Sequence, residues 1–195
     1  MKEFDFFKLN KDLTPEKGDL LISEPFMPDP NFSRTVVLLC EHDENGSFGF
    51  VLNQQSSVCL DELIDKVKNF NEPVFIGGPV QQDTVHVLHR NSTLKDSSNQ
   101  VKGDIYWGGD FEKILTNINE NALVKKDYKF FVGYSGWAAG QLKSEIEANS
   151  WIIYKHTSVH HILDLPHSEL WKAVLKDLGG RFKLMSNYPV DPRLN

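Results

Sequence analysis

Gly133-Tyr134-Ser135-Gly136-Trp137 comes nearer than any other segment of this chain to a nucleophile motif. A nucleophilic serine at a strained strand-to-helix turn needs glycine two places before it and two places after, because side chains there would crowd it. Here the second flank is Trp137, and the glycine falls one place early. The segment is expected where a strand meets a helix, its glycines making a tight turn and Ser135 lying near the helix start. Such a turn could also offer an anion the amides of Gly136 and of residues 138–140, although lone glycine turns of this kind are common. Gly77-Gly78, before Pro79, and Gly108-Gly109 read as turns. None of them completes a G-x-x-x-x-G-K-[ST] phosphate loop.

A second polar set surrounds a hairpin. Thr35 to Glu41 is almost continuously apolar and β-branched at its start, which suits a strand buried on both faces. Asp43-Glu44-Asn45-Gly46 is a turn, and Phe48 to Leu52 is the return strand. Arg34 and Asn53 then share one end of the hairpin, while Glu41 and His42 lie at the other. Charged groups beside apolar strands need partners or water. On one reading Arg34 pairs with Asp29 or another acid and pins the preceding loop, which its prolines keep extended. On the other, that loop and Arg34 line a pocket for an acidic ligand. Gln141 and Glu145 share a helix face, where they either pin a neighbouring loop or meet a partner.

No metal or cofactor set is complete. His86 and His89 fall on opposite faces of a strand. A break at Thr157-Ser158 separates His156 from His160, and no cysteine pair or H-E-x-x-H motif appears. Cys40 ends an apolar run and reads as a small buried hydrophobe. Two cysteines make no disulfide framework, which points to a reducing compartment.

The 195 residues are 40% hydrophobic and 25% charged, an ordinary globular balance. One core is sufficient at this length. The expectation is a single domain, with residues 1–17 as a loosely attached lead-in. The net charge of -6 disfavours nonspecific contact with phosphate backbones. Lys125, Lys126 and Lys129 form the densest basic cluster and read as a solvated face. No segment approaches the ~20 apolar residues that span a bilayer, and the N-terminus lacks the apolar stretch of a signal peptide. A cytoplasmic protein is expected, without a membrane partner.

Positioning these residues requires several elements. Leu20–Ser23 reads as a strand. Leu60, Leu63, Ile64 and Val67 recur at helical spacing. Strands are expected at 74–76, 84–89, 105–107, 129–134 and 150–154, with a flexible polar loop at 91–100. Asp110 caps a helix carrying Phe111, Ile114, Leu115 and Ile118. A further helix carries Ala138, Ala139, Leu142 and Ile146, and a last one runs from Leu170 to Leu178 before Gly179-Gly180. The tail from Tyr188 is extended. A hairpin followed by alternating strands and helices implies an α+β fold with a mixed sheet.

Several blocks resemble the YqgE/AlgH family. They are Gly18-Asp19-Leu20-Leu21-Ile22-Ser23 with Pro25, the run from Asp29 to His42, Gly49-Phe50-Val51-Leu52-Asn53, Phe75-Ile76-Gly77-Gly78-Pro79-Val80, the run from Gly133 to Leu142 with Glu145, Ile146 and Trp151, and the closing Asp191-Pro192-Arg193-Leu194-Asn195. The resemblance covers nearly the whole chain in order. It implies a mainly antiparallel bifurcated sheet curled into a pseudo-barrel and flanked by helices. It also brings the label of transcriptional regulator that some members carry, tied to alginate production, but no catalytic residues. Two functions follow as expectations. One is a noncatalytic regulator or adaptor that binds another macromolecule, most simply a protein. The other is a ligand-binding protein or enzyme whose cleft joins the Asp29/Arg34 loop to the Ser135-Gly136-Trp137 turn.

Overall fold

Strands dominate because apolar and β-branched runs recur between turn residues. A computed structural model of the chain describes residues 13–68, 70–120 and 122–189. The lead-in before residue 13 and the tail beyond 189 lie outside the described residues. The strands are β1 (Leu20–Ser23), β2 (Val36–Asp43), β3 (Gly46–Val51), β4 (Gln55–Cys59), β5 (Pro73–Ile76), β6 (Val80–His89), β7 (Ser98–Lys102), β8 (Ile105–Gly108), β9 (Tyr128–Ala138) and β10 (Trp151–Tyr154). The helices are α1 (Leu60–Leu63), α2 (Phe111–Asn119), α3 (Gln141–Glu147), α4 (His167–Leu178) and α5 (Gly180–Met185).

The strands join in the order β10-β1-β2-β3-β9-β6-β8-β7, with β4 and β5 branching beside β9. The β5–β9 pair is parallel and the other pairings are antiparallel. The fold is α+β, with a mainly antiparallel sheet that does not close by backbone pairing. Its fork is β9, which changes partner along its length. Phe131 and Val132 pair with β5, whereas residues 135–138 pair with β3.

Side chains bring the two ends of the path together. Asp19, immediately before β1, is 2% exposed. Lys155, just after β10, reaches its carboxylate at 2.8 Å. Lys102 of β7 lies 3.8 Å from the same carboxylate and donates to the Lys155 carbonyl at 3.1 Å. The open sheet is thus clasped into a pseudo-barrel by one buried acid and two lysines.

Three cores follow from the alternation of strand faces. The main one lies inside the curl, with Leu20, Leu38, Phe50 and Phe131, and is plugged by Leu170, Trp171 and Val174 of α4. A second packs α2 on Val87 and Phe130. A third packs α3 on Leu21, Val37 and Trp151. None of the helices is long and apolar enough to cross a membrane, among the described residues.

Three local expectations need correction. The helix from Leu60 through Val67 is a single turn, because Ile64 is extended. Beyond it the backbone bonds of Lys66 and Lys68 go to the Asn119 side chain rather than along a helix. The polar stretch 91–100 is ordered: Asn91 caps a 3₁₀ segment, and β7 follows. Gly133 through Trp137 lies inside β9 rather than at a turn, and α3 begins only after Gly140.

Candidate functional site

The residues singled out in the sequence fall into four places. The first is the fork. Gly77 donates its amide to the Val132 carbonyl at 2.9 Å and accepts from the Val51 amide at 2.9 Å. The same carbonyl accepts the Ser135 hydroxyl at 3.0 Å. A Cβ on Gly77 would stand 2.3 Å from the Gly133 carbonyl oxygen, and one on Gly78 2.3 Å from the Tyr134 backbone. These glycines are therefore demanded by close backbone approach. Ser135 is fully buried, and its proton is committed to a carbonyl.

The second place is a cluster around Glu145. One of its carboxylate oxygens accepts the indole N–H of Trp137 at 2.9 Å and that of Trp151 at 2.8 Å. The other accepts from Gln141 at 2.9 Å, and Gln141 in turn accepts the Ala138 amide at 3.0 Å. Gln141 and Glu145 do share a helix face, and what they pin is the end of β9. The amides of residues 136–140 present no helix N-terminus to an anion, because the strand runs through Ala138 and Gln141 takes up its amide.

The third place is the proline-rich loop. Asp29 caps Asn31 at 2.9 Å. Arg34 does not pair with it. Its Nη2 donates to the carbonyls of Tyr188 and Pro189, each at 2.6 Å, and its guanidinium lies 4.7 Å over the Trp171 ring. Arg34 holds a positive φ of 52°, an uncommon left-handed conformation for a residue with a side chain. Asn53 bridges the hairpin end, accepting from the Val36 amide and donating to the Arg34 carbonyl. Phe32 stacks on Trp137 with ring centres 6.4 Å apart. The loop and the Ser135-Gly136-Trp137 segment therefore touch, but as packed rings. Asp29, Arg34 and Ser135 line neither of the cavities described here.

The fourth place is open. A groove of about 650 Å³ lies beside the β2–β3 turn. A bulge between Leu39 and Glu41 interrupts the β2–β3 register, and beyond it Glu41 stands opposite Phe48. Phe48 meets Trp107 edge-on with centres 4.9 Å apart, and Tyr134 at 6.0 Å. Those three rings line the groove together with His86, Glu41 and Asp43. Gly136 and Trp137 border it as well. His42 stands beside it, its Nδ1 2.6 Å from the Ser47 hydroxyl.

The hydrogen on His86 Nε2 follows from its partner. The Thr84 hydroxyl spends its one proton on the Gln81 carbonyl at 2.7 Å, so at 2.9 Å it must accept from His86 Nε2. Burial also pushes the His86 pKa down. The groove thus has an aromatic floor, a neutral imidazole and a carboxylate rim.

Of the residues singled out in the sequence, Glu41, Gly136 and Trp137 line this groove, while its ring-bearing residues Phe48, His86, Trp107 and Tyr134 are not among the candidate site residues. No spacing rule joins them, because β3, β6, β8 and β9 meet only in the folded sheet. Ser158, His161 and Asp177 are not among the candidates either. The Ser158 hydroxyl lies 2.8 Å from His161 Nδ1, and His161 Nε2 lies 3.3 Å from Asp177. The Ser158 amide also points at Nδ1, at 3.2 Å, which makes the imidazole a cap for its own turn. The carboxylate bond is long for a charge-assisted pair. Neither cavity contains these residues. Among the described residues no His, Cys, Asp and Glu group could hold a metal ion.

Comparison with known proteins gives consistent results. A family model described as AlgH-like (DUF179) matches residues 20–183. A UPF0301 protein of Cytophaga hutchinsonii is 46% identical over 181 residues, covering 92% of this chain and 98% of the relative. Another, from Bacteroides thetaiotaomicron, is 35% identical over 193 residues, covering 98% and 97%. The solution structure of the AlgH protein from Pseudomonas aeruginosa superposes with a TM-score of 0.70 at 30% identity, covering 92% of this chain and 98% of that one. A crystal structure of a Corynebacterium diphtheriae protein gives 0.73 at 26% identity, covering 90% and 94%. These matches show that the chain belongs to the AlgH-like family.

Proposed function

We propose that this chain is a noncatalytic regulator or adaptor that docks another protein through the groove beside the β2–β3 turn. The observation that supports it is the groove's chemistry: three aromatic rings under a rim that carries Glu41 and Asp43. Aromatic faces attract cations, and carboxylates at the mouth add to that attraction. The occupant that fits is a protein segment with an apolar side chain next to a lysine or arginine. The net charge of -6 favours encounter with such a basic segment. The regulatory label that accompanies the family resemblance accords with a binding role. Ser135 has no base beside it, since its hydroxyl bonds a carbonyl, which argues against a hydrolase built on that serine.

Panning a displayed peptide library tests this reading. Enriched peptides should pair an aromatic or aliphatic residue with Lys or Arg. Their binding should weaken with salt, fall roughly 10-fold or more in Trp107→Ala, and shift toward acidic peptides in Glu41→Lys. Enrichment of acidic peptides by the unaltered protein, or indifference to both substitutions, would overturn the assignment. A fluorophosphonate probe should label no serine; labelling at Ser158 would overturn the noncatalytic half.

A further inference from the structure

A second cavity, remote in sequence from the groove's turn, encloses a charge that the fold answers only weakly. Lys129 lies near the start of β9 between Tyr128 and Phe130, and is 8% exposed. The basic cluster is therefore not wholly a solvated face. Lys125 and Lys126 are exposed, but Lys129 points inward. Its ammonium has three donors. One reaches the Ile162 carbonyl at 3.4 Å, a poor bond, and the Phe75 ring lies 4.2 Å from the nitrogen. Among the described residues no carboxylate lies within 4 Å of it. Burial brings its pKa from 10.5 down to about 7.

The cavity beside Lys129 measures about 390 Å³, within the range of small-ligand sites. Its walls are mixed: Phe75, Phe130 and Leu163 form an apolar part, beside the polar side chains of Gln55 and Tyr128. Its mouth carries Lys125 and Lys126, and Glu72 lies 3.3 Å from Lys125. The start of α4 completes it. Pro166 and His167 line the cavity, no side chain caps that helix, and a helix N-terminus carries positive potential. Buried lysine, exposed lysines and open helix end all ask for the same thing.

We propose that this cavity binds a small oxyanion, a phosphate or carboxylate carried on an apolar body, and that Lys129 is the side chain that receives its charge. The anion supplies the acceptors the ammonium lacks. The titratable groups facing the cavity are Glu72, Lys125, Lys126, Tyr128 and His167. Glu72 is the acid among them, and Lys125 already engages it. A bound anion favours charged Lys129, so binding draws a proton onto that nitrogen. The proposal is independent of the groove.

Calorimetry with phenyl phosphate and with benzoate tests it, in two buffers of different ionisation enthalpy. Binding should take up protons, approaching one per ligand at pH 9. Affinity should fall about 10-fold per pH unit above pH 7 until the bound state itself titrates. Lys129→Met should weaken binding roughly 10- to 100-fold. Lys126→Ala should cost a few-fold and leave proton uptake intact. Lys129→Arg keeps the charge at every pH, so it should bind without uptake and without the pH dependence; this variant decides the matter if Lys129→Met does not fold. Preference for one probe identifies the natural ligand as a phosphate or a carboxylate. Failure of both probes to bind, equal binding by Lys129→Met, or binding without proton uptake would overturn the proposal.

Discussion

Asp19 and Lys129 are both ionisable side chains shut away from water, and the fold treats them oppositely. Asp19 is 2% exposed yet fully answered. Lys155 lies 2.8 Å from it, the Glu16 amide donates to it at 2.8 Å, and Lys102 stands at 3.8 Å. Lys129 is 8% exposed and has one long bond to a carbonyl and the face of the Phe75 ring, but no carboxylate. A buried charge with partners holds elements together, here the two ends of an open sheet. A buried charge without a counter-charge is a standing cost that folding alone does not justify. The same division runs through the rest of the molecule. The carboxylate of Glu145 is satisfied by two indoles and an amide, and the Ser135 hydroxyl by a carbonyl. Those are joints. The aromatic groove and the lysine cavity are the places left open.

The largest loss expected is at the clasp. Asp19→Ala removes the acceptor for Lys155 and for the Glu16 amide. Asp19 is buried while Lys155 and Lys102 are 27% and 36% exposed, so the lysines left behind regain water and the loss is about 2 kcal/mol, mainly from the Glu16 amide and the lost ion pair. The loss should appear in urea melts, and hydrogen exchange should quicken in β7 and β10, the strands the clasp unites. If stability fell without that local signature, Asp19 would be an ordinary core residue and the contrast with Lys129 would lose one side.

Lys129→Met should do the reverse and stabilise. Replacing a poorly answered buried charge by an apolar side chain of similar length gains on the order of 2 kcal/mol. The pH dependence distinguishes this from simple repacking. The folded pKa is about 7 against an ordinary 10.5, so between those values the unfolded chain holds a proton that the folded chain does not. Unfolding free energy of the unaltered protein therefore rises with pH across that window, by about 1.4 kcal/mol per unit at most. The variant lacks that slope. Its advantage should be greatest below pH 7 and vanish or reverse toward pH 10, as read by melts at both ends. A constant advantage, or none, would mean that Lys129 is solvated or paired.

The fold was largely legible because its signals are local. The Asp43–Gly46 turn, the apolar run of β2 and the Asp110 cap each act within a few residues, and each formed where expected. Gly77 and Gly78 were legible as special but not as a fork, since what demands them is the backbone of residues 133–135, brought close only by the sheet. The Leu60–Val67 periodicity misled because Asn119, far along the chain, captures the backbone groups a helix would have used. Arg34's charge suggests an acid, either a loop carboxylate or a bound acidic ligand, yet its acceptors are carbonyls of Tyr188 and Pro189. No pattern announces a backbone acceptor more than 150 residues away. Lys129 did carry a signal. A lysine inside Tyr-Lys-Phe-Phe-Val sits in a strand too apolar to be a solvated face, and weighing it with its flanking aromatics rather than with Lys125 and Lys126 would have marked it as buried.

Ser135 gives the smallest effect and the sharpest use of the comparison. It lies at the fork, fully buried, with its hydroxyl on the Gly77 carbonyl at 3.0 Å. In Ser135→Ala that carbonyl keeps the Val51 amide at 2.9 Å, so no acceptor is stranded. A neutral hydrogen bond lost under those conditions costs about 1 kcal/mol. Thermal melts should show a fall of a few degrees, while peptide capture by the groove and anion binding at Lys129 stay as they were. A joint loosened slightly leaves the open sites intact. Loss of either binding activity without loss of fold would make Ser135 part of a site, and satisfied polar groups would then no longer mark architecture in this protein.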